Sequence, residues 1–349
     1  MTAEPNAPEL LSSAAGLGAA VATETGTELG EIEAVRARGY WEQVWRRFRR
    51  DKFALAGGVF VILLLLMAYA GAPLFRKLLG HGPNDIFSTS GGLINDEIPV
   101  GPWSHVKDLN GNSQFLLLGG DGSLARDEFL RLLYGAQVSL EVAIGATTLA
   151  MMIGIFMGVV GGYYGGWIDA VVSRVTEIVM AFPVLLFIIA VSATIGDRLN
   201  NITFHGVVQP GVFTLTIVIA IFGWYYPARI IRAVVLSLRE KEFVEAARMT
   251  GASDWRIMRS HLLPHLIAPI IVYATLIVAV NILLEAGLSF LGLGVPLGTP
   301  SWGNLLATGP DFYLTQPWLM LWPGLAVLLT TLAFNLLGDG LRDAFDPRG

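Results

Sequence analysis

The sequence predicts an all-α, polytopic membrane bundle of six transmembrane helices, and two observations carry that expectation. Of 349 residues, 54% are hydrophobic and only 15% charged, against about 25% charged in an ordinary soluble domain. Six stretches, roughly 53–75, 137–161, 169–195, 211–233, 265–291 and 318–338, reach the ~20 apolar residues needed to cross a hydrocarbon core of about 30 Å. Runs such as Val61-Ile62-Leu63-Leu64-Leu65-Leu66 are continuous rather than alternating, which excludes transmembrane β-strands.

In chain order, residues 1–35 are rich in Ala, Thr, Gly and Glu, hold six acids and no base, and are expected to be a disordered acidic tail. Residues 36–52 place Trp41, Val44, Trp45 and Phe48 at i, i+3, i+4 and i+7, one face of a helix. Arg46, Arg47, Arg49 and Arg50 surround that face. Trp at the interface with Arg toward anionic headgroups predicts an amphipathic helix lying in the membrane plane. The first span, 53–75, lies behind fifty residues and exceeds the 7–15 apolar residues of a signal peptide. Residues 76–136 then form a long extracytoplasmic segment that opens with Gly, Asn, Asp and Ser loop chemistry. Its end, Asp121 to Ser139, reads as a pre-span helix. A core of five helices over 137–341 follows, with shorter outer loops at 196–210 and 292–317, and 342–349 closes the chain.

Between the fourth and fifth spans, about 240–264, a polar hairpin interrupts this core. Glu240 to Thr250 starts acidic and meets Gly251, a helix with its C-terminal stop. Ser253 and Asp254 can cap a second helix from Trp255 to Leu263, after which Pro264 opens the next span. Small Ala246 and Ala247 would let a partner approach closely, and Phe243, Met249 and Trp255 offer apolar contact. Such a hairpin on so hydrophobic a chain reads as a dock for a soluble partner.

Basic residues favour the cytoplasmic side. With both termini inside, that side holds seventeen Lys and Arg and the outer side six. Within the spans, Glu141, Glu177 and Glu285 are costly in lipid and should face protein or water, and Arg174 stands three residues before Glu177, the spacing of a same-face ion pair. For Glu285 a structural hydrogen bond is expected. The Gly154/Gly158/Gly162 spacing permits close helix approach, inside the bundle or between subunits. No internal repeat and no matched pair of Gly/Pro-interrupted spans supports an inverted-repeat transporter.

Several classes fall away. A net charge of −5 gives no reason to expect nucleic-acid binding. The absence of cysteine excludes disulfides, thiolate metal sites and a cysteine nucleophile. The five histidines lack metal-ligand spacing, so no metal site and no bound cofactor are expected. No Gly-Lys dipeptide occurs, hence no Walker A loop, and no catalytic constellation replaces it, so the chain is not expected to be an enzyme.

Glu245-Ala246-Ala247, Gly251 and Leu263-Pro264 resemble, at matching spacing, the EAA loop of binding-protein-dependent ABC importer permeases. His261 stands where the general pattern has an aliphatic residue. Further likenesses lie along the chain from about residue 40. Leu118-Gly119-Gly120-Asp121-Gly122 with Ala125-Arg126-Asp127 is similar to the LGTDxxGRD segment, Gly120 replacing Thr and Ala125 replacing Gly. Gly161 to Asp169 looks like the short inner turn, Glu285 to Gly294 with Pro300 to Asn304 like the end of the fifth span, and Asn335 to Asp343 with Asp346-Pro347-Arg348 like the C-terminus. Together these resemble the second, C-type permease of the dipeptide/oligopeptide/nickel group. The resemblance implies the type I importer fold and a multi-pass place in the cell membrane. It also implies a homologous permease as heterodimer partner, two ABC ATPases that carry ATP and Mg, and an extracytoplasmic substrate-binding protein. Di- and oligopeptides are the implied cargo. A nickel-importing permease of the same group and an ion-coupled secondary transporter are the competing readings.

Overall fold

A computed structural model describes residues 39–87, 100–107, 111–121, 124–199, 209–296 and 298–346. The acidic tail, the centre of the outer loop and the last three residues lie outside them. Contacts divide the chain into an N-terminal unit ending at Arg46 and a second unit from Arg47 onward.

Helix α1, Tyr40–Phe48, exposes Trp41 and Trp45 and ends before residue 52, where the sequence places its end. Arg49 and Arg50 form a turn instead, because Asp51 takes extended backbone and caps the next helix through the Phe53 and Ala54 amides at 2.9 and 3.1 Å. Phe48 is buried near Gly58, so it does not share the exposed face of Trp41 and Trp45. The first spanning helix, α2, runs over Lys52–Leu79, longer than 53–75. It contains a π turn, Met67–Gly71, and ends at Gly80 in left-handed backbone, φ 77.

The outer segment carries two small antiparallel ribbons, β1 (Ser104–Lys107) with β2 (Ser113–Leu116) and β3 (Gly120–Asp121) with β4 (Arg126–Asp127). The expected pre-span helix from Asp121 is therefore corrected: Gly120 pairs with Asp127 and Asp121 with Arg126, and helix begins only at Glu128. It then continues without a break as α3, Glu128–Tyr164. Ala125, where the resembling pattern has glycine, takes positive φ, 49°, the region glycine enters without strain. The stretch between Asp121 and Arg126 is also one residue longer than in that pattern.

Helices α4 (Gly166–Ala181) and α5 (Val184–Leu199) are bent by 80° at Phe182–Pro183, and α6 (Val212–Gly223) and α7 (Tyr225–Arg239) by 43° at Trp224. Two spans are thus interrupted near prolines, although the sequence offered no matched pair of them. Pro183 forces Phe182 into extended backbone, φ −87 and ψ 137, and Pro227 has no N–H to offer the Gly223 carbonyl. Prolines 269 and 323 lie within continuous helices, so a proline alone did not mark the two breaks.

After α8 (Glu242–Met249), helix α9 covers Asp254–Phe290 in one piece. Pro264 therefore does not open a new element. The turn before it widens to a π segment, Ile257–Leu262, which absorbs the missing proline N–H without ending the helix. A short α10 (Trp302–Thr308) and a final α11 (Trp318–Phe345) complete the order. Among the described residues, α2, α3, α9 and α11 are each long and apolar enough to span, and the two bent pairs raise the number to six if each is one span.

Helix α3 is the axis. Half of its most apolar window is buried, against 22–33% for the other three, and it supplies residues to four core clusters, Ala150 joining Ala220 and Ala228 in the smallest of them. Leu140 packs with α2, α9, α10 and α11 through Ala68, Ile282, Trp302 and Phe334. Val142 joins Leu215 and Ile219 of α6, and Val159 with Tyr163 joins α7, α8 and α9. Gly154, Gly158 and Gly162 form a ridge on which α7 sits. A Cβ there would lie 2.7 Å from Pro227 Cγ, 2.7 Å from the Ala228 carbonyl oxygen and 2.9 Å from Val235 Cβ. The glycine spacing is thus used within the chain.

Gly158→Leu should accordingly lose the folded bundle, because the nearest atoms include α7 backbone and overpacking of this kind costs about 1–3 kcal/mol or more. Gly287→Ala, at an exposed helix position with nothing within 4 Å, should be neutral or stabilising by up to about 1 kcal/mol. Thermal unfolding of the two variants in detergent checks both.

Candidate functional site

The polar hairpin between α7 and α9 is built around its turn. Helix α8 closes in a Schellman arrangement: the Gly251 amide donates to the Arg248 carbonyl at 2.9 Å and the Ala252 amide to the Ala247 carbonyl at 3.0 Å. Gly251 stands at φ 78, which an L side chain enters at a cost of about 1–2 kcal/mol.

Helix periodicity then sorts the motif. Glu242, Glu245, Ala246 and Met249 share the exposed face, whereas Val244 and Ala247 are buried on Ile257, Met258 and Leu262. Ala247 faces inward, where its small size lets α8 lie against α9. Phe243 likewise turns partly inward, its ring 5.1 Å from His265. Met249 (80% exposed), Trp255 (67%) and Leu263 (38%) supply the apolar part of the outward surface, and Gly251 and Pro264 lie on the exterior with them.

The hairpin is fastened to the bundle by residues whose partners are far away in sequence. Tyr163, in the last turn of α3, donates its hydroxyl to Asp254 at 2.7 Å, and the Arg248 guanidinium lies 5.3 Å from the Tyr163 ring centroid. Asp169 of α4 accepts both arms of Arg232 of α7, the second at 2.7 Å. Arg239 donates to the carbonyls of Gly162 and Tyr163 at 3.3 and 3.4 Å. Sequence reading missed these ties, since separations of 63–91 residues leave no local signature. The Gly-Gly-Tyr-Tyr-Gly-Gly-Trp turn was the one available signal.

The membrane-depth polar residues lie in three different settings. Glu285 is fully buried and accepts from the Ser289 hydroxyl at 2.8 Å, with Ser139 and Ser301 beside it. The same serines hold the segment before α10: Val295 donates to Ser289 at 3.2 Å and Trp302 to Ser139 at 3.2 Å. Glu141 accepts from the Tyr69 hydroxyl of α2 at 3.4 Å. Arg174 and Glu177 pair at 2.9 Å, but both side chains stay largely exposed.

At the opposite end of α3 lies a buried ionic cluster. Asp127 caps α3 through the Leu130 amide at 3.0 Å and receives His81 Nε2 at 2.7 Å. His81 Nδ1 faces the Leu79 carbonyl and Gln114, both at 3.2 Å. Asp121 accepts both arms of Arg126 at 2.8 and 3.0 Å and pairs with Arg131. This cluster joins the end of α2, the β1–β2 ribbon and the start of α3. Burial by itself lowers the His81 pKa, but the hydrogen bonds and charge of Asp127, with Gln114 and the Leu79 carbonyl, outweigh it and leave the imidazole raised. Among the described residues no group of three His, Cys, Asp or Glu could hold a metal ion.

Comparison with known proteins bears on the same regions. Residues 150–348 match the family described as binding-protein-dependent transport system inner membrane component. Residues 39–88 match the N-terminal TM domain of oligopeptide transport permease C. The chain is 36% identical over 308 residues to the glutathione transport system permease protein GsiD of Pectobacterium atrosepticum, covering 88% of this chain and 91% of that one. It is 36% identical over 309 residues to the dipeptide transport system permease protein DppC of Alkalihalophilus pseudofirmus, covering 88% and 90%. Among solved structures, the inward-facing MetNI methionine ABC transporter aligns over 62% of this chain and 97% of that one, at 17% identity and a TM-score of 0.49.

The His81 pair sets a pH dependence. A raised imidazole pKa adds stability that is complete below the unfolded value of about 6.5 and is lost as pH rises through the folded value above it. Hydrogen exchange, corrected for its intrinsic rate, should show protection of residues 79–87 and 124–130 falling as pH rises from neutral into the alkaline range. His81→Gln should flatten that dependence; an unchanged profile would remove His81 as its source.

Proposed function

We infer the working of this chain from the family to which it belongs, the inner membrane components of binding-protein-dependent transport systems. It is a multi-pass membrane permease subunit of an ABC importer and not itself an enzyme. The names of its relatives, dipeptide and glutathione permeases, favour di- and oligopeptides as cargo over nickel or an ion-coupled mechanism. A homologous permease completes a heterodimer, two ATPases bind and hydrolyse ATP with Mg, and an extracytoplasmic binding protein delivers the peptide.

Six spans with both termini inside put the hairpin of α8 and α9 on the side where ATP is found. Closure of the ATPase dimer pushes on the exposed face of α8. That push passes to α3 through Tyr163–Asp254, and Asp169–Arg232 carries α4 along with α7. The spans rock as a packed unit, exposing the pathway first to the binding protein and then to the cytoplasm. The observation that carries this reading is the outward Glu245–Ala246–Met249 face on a hairpin whose inner side is locked to three spans.

The opposed alanines separate docking from folding. Ala246→Arg places a long charge on the outer face and should abolish co-purification of the ATPases and ATP-driven uptake, with the melting temperature unchanged. Ala247→Leu should instead destabilise the hairpin by about 1–3 kcal/mol and lose docking only with that stability. Wild-type co-purification and uptake by Ala246→Arg would overturn the docking assignment.

A further inference from the structure

One cavity lies beside the first helix break and a turn beyond the second. A space of about 480 Å³ lies between α4 and α7, lined by Ser173, Thr176, Glu177, Ala181, Arg229 and Arg232 among others. Ala181 is the last residue before the 80° break, and Arg229 lies two residues past Pro227, just beyond the 43° break. In lipid, interrupted helix is stable only where its loose backbone groups are covered by protein or line water. The same holds for exposed charge at membrane depth. Glu177 is 62% exposed and its partner Arg174 77%. Protein cover or water satisfies both constraints, and charges as exposed as Arg174 and Glu177 favour water on this face.

The cavity's charges are unevenly committed. Arg232 is held by Asp169, and Glu177 by Arg174 at the rim. Arg229 is exposed and makes no hydrogen bond or ion pair among the described residues. A guanidinium with its donors uncommitted suits a carboxylate, which it can meet with two parallel N–H donors. Glu177 and the Ser173 hydroxyl offer acceptors to an ammonium group. The volume falls within the range of about 300–1,000 Å³ common for small-molecule sites.

We propose that this cavity is a stretch of the solute pathway in which Arg229 takes the terminal carboxylate of a zwitterionic peptide while Glu177 faces its ammonium end. This rests on the peptide-importer reading above. Binding there is wet and transient, so each contact changes rate modestly rather than deciding it.

The test uses the complete importer in proteoliposomes, with one dipeptide supplied as free acid and as C-terminal amide. The binding protein is the same for every variant, so each variant-to-wild-type ratio cancels its selectivity. Arg229→Gln should lower free-acid uptake about fivefold, the scale of one solvated charge pair, and leave amide uptake unchanged. Arg229→Lys should restore most of the loss, and ATPase stimulation by loaded binding protein reports assembly. Since the chain has no cysteine, Ser173→Cys, at a partly exposed lining position, should react with a charged thiol reagent and be protected by saturating dipeptide. This second measurement stands even where Arg229→Gln fails to assemble. Wild-type importer that moves no peptide would defeat the function reading. Wild-type uptake with equal free-acid rates in Arg229→Gln, or an unreactive Ser173→Cys, would defeat the pathway assignment alone.

Discussion

The contact on which the rest of this molecule depends is the seat of α7 on the glycine ridge of α3. Three glycines spaced by four residues let two helix backbones meet with no side chain between them. Helix association in lipid gains little from hydrophobicity, so close packing must supply the attraction. Once α7 is fixed, Arg232 stands opposite Asp169 and Arg239 opposite the carbonyls that end α3. The hairpin that follows α7 then has one available position, over Tyr163.

The same arrangement gives the proposed docking hairpin a rigid connection to the spans. Its inner face shares a core with α3, α7 and α9, and α9 passes from hairpin to membrane depth as one helix, without a hinge at Pro264. A force on α8 meets packed side chains and a continuous rod. At the far end, Asp127 and His81 tie the start of α3 to the end of α2, so both ends of the axial helix are held by polar contacts, buried at this end and part-buried at the other.

Much of this was legible in the sequence because the bilayer imposes length and polarity on each segment. The apolar runs marked the regions of the spans, and Gly251 marked the hairpin turn through its left-handed backbone. The Arg174–Glu177 spacing matches the pair found at 2.9 Å. What escaped is tertiary. Pro183 and Pro227 break their helices while Pro269 and Pro323 do not, a difference set by neighbours rather than by the proline. Ala246 and Ala247 look alike in sequence, and only the packing of α8 on α9 turns one outward and one inward. The pre-span ribbon at Asp121–Asp127 was hidden because its two strands are two residues long, below any periodicity. The expected tail at 1–35 lies outside the described residues.

The central claim is that the hairpin faces the ATP side while the β1–β2 ribbon faces the other, and thiol labelling decides it most directly. The cysteine-free chain permits single cysteines at two exposed positions, Ser253 beside the hairpin turn and Lys107 at the end of β1. In cells stripped of outer barriers, a membrane-impermeant maleimide should label Lys107→Cys at once and Ser253→Cys only after permeabilisation. Immediate labelling of Ser253→Cys with Lys107→Cys protected would place the hairpin away from ATP and contradict the account.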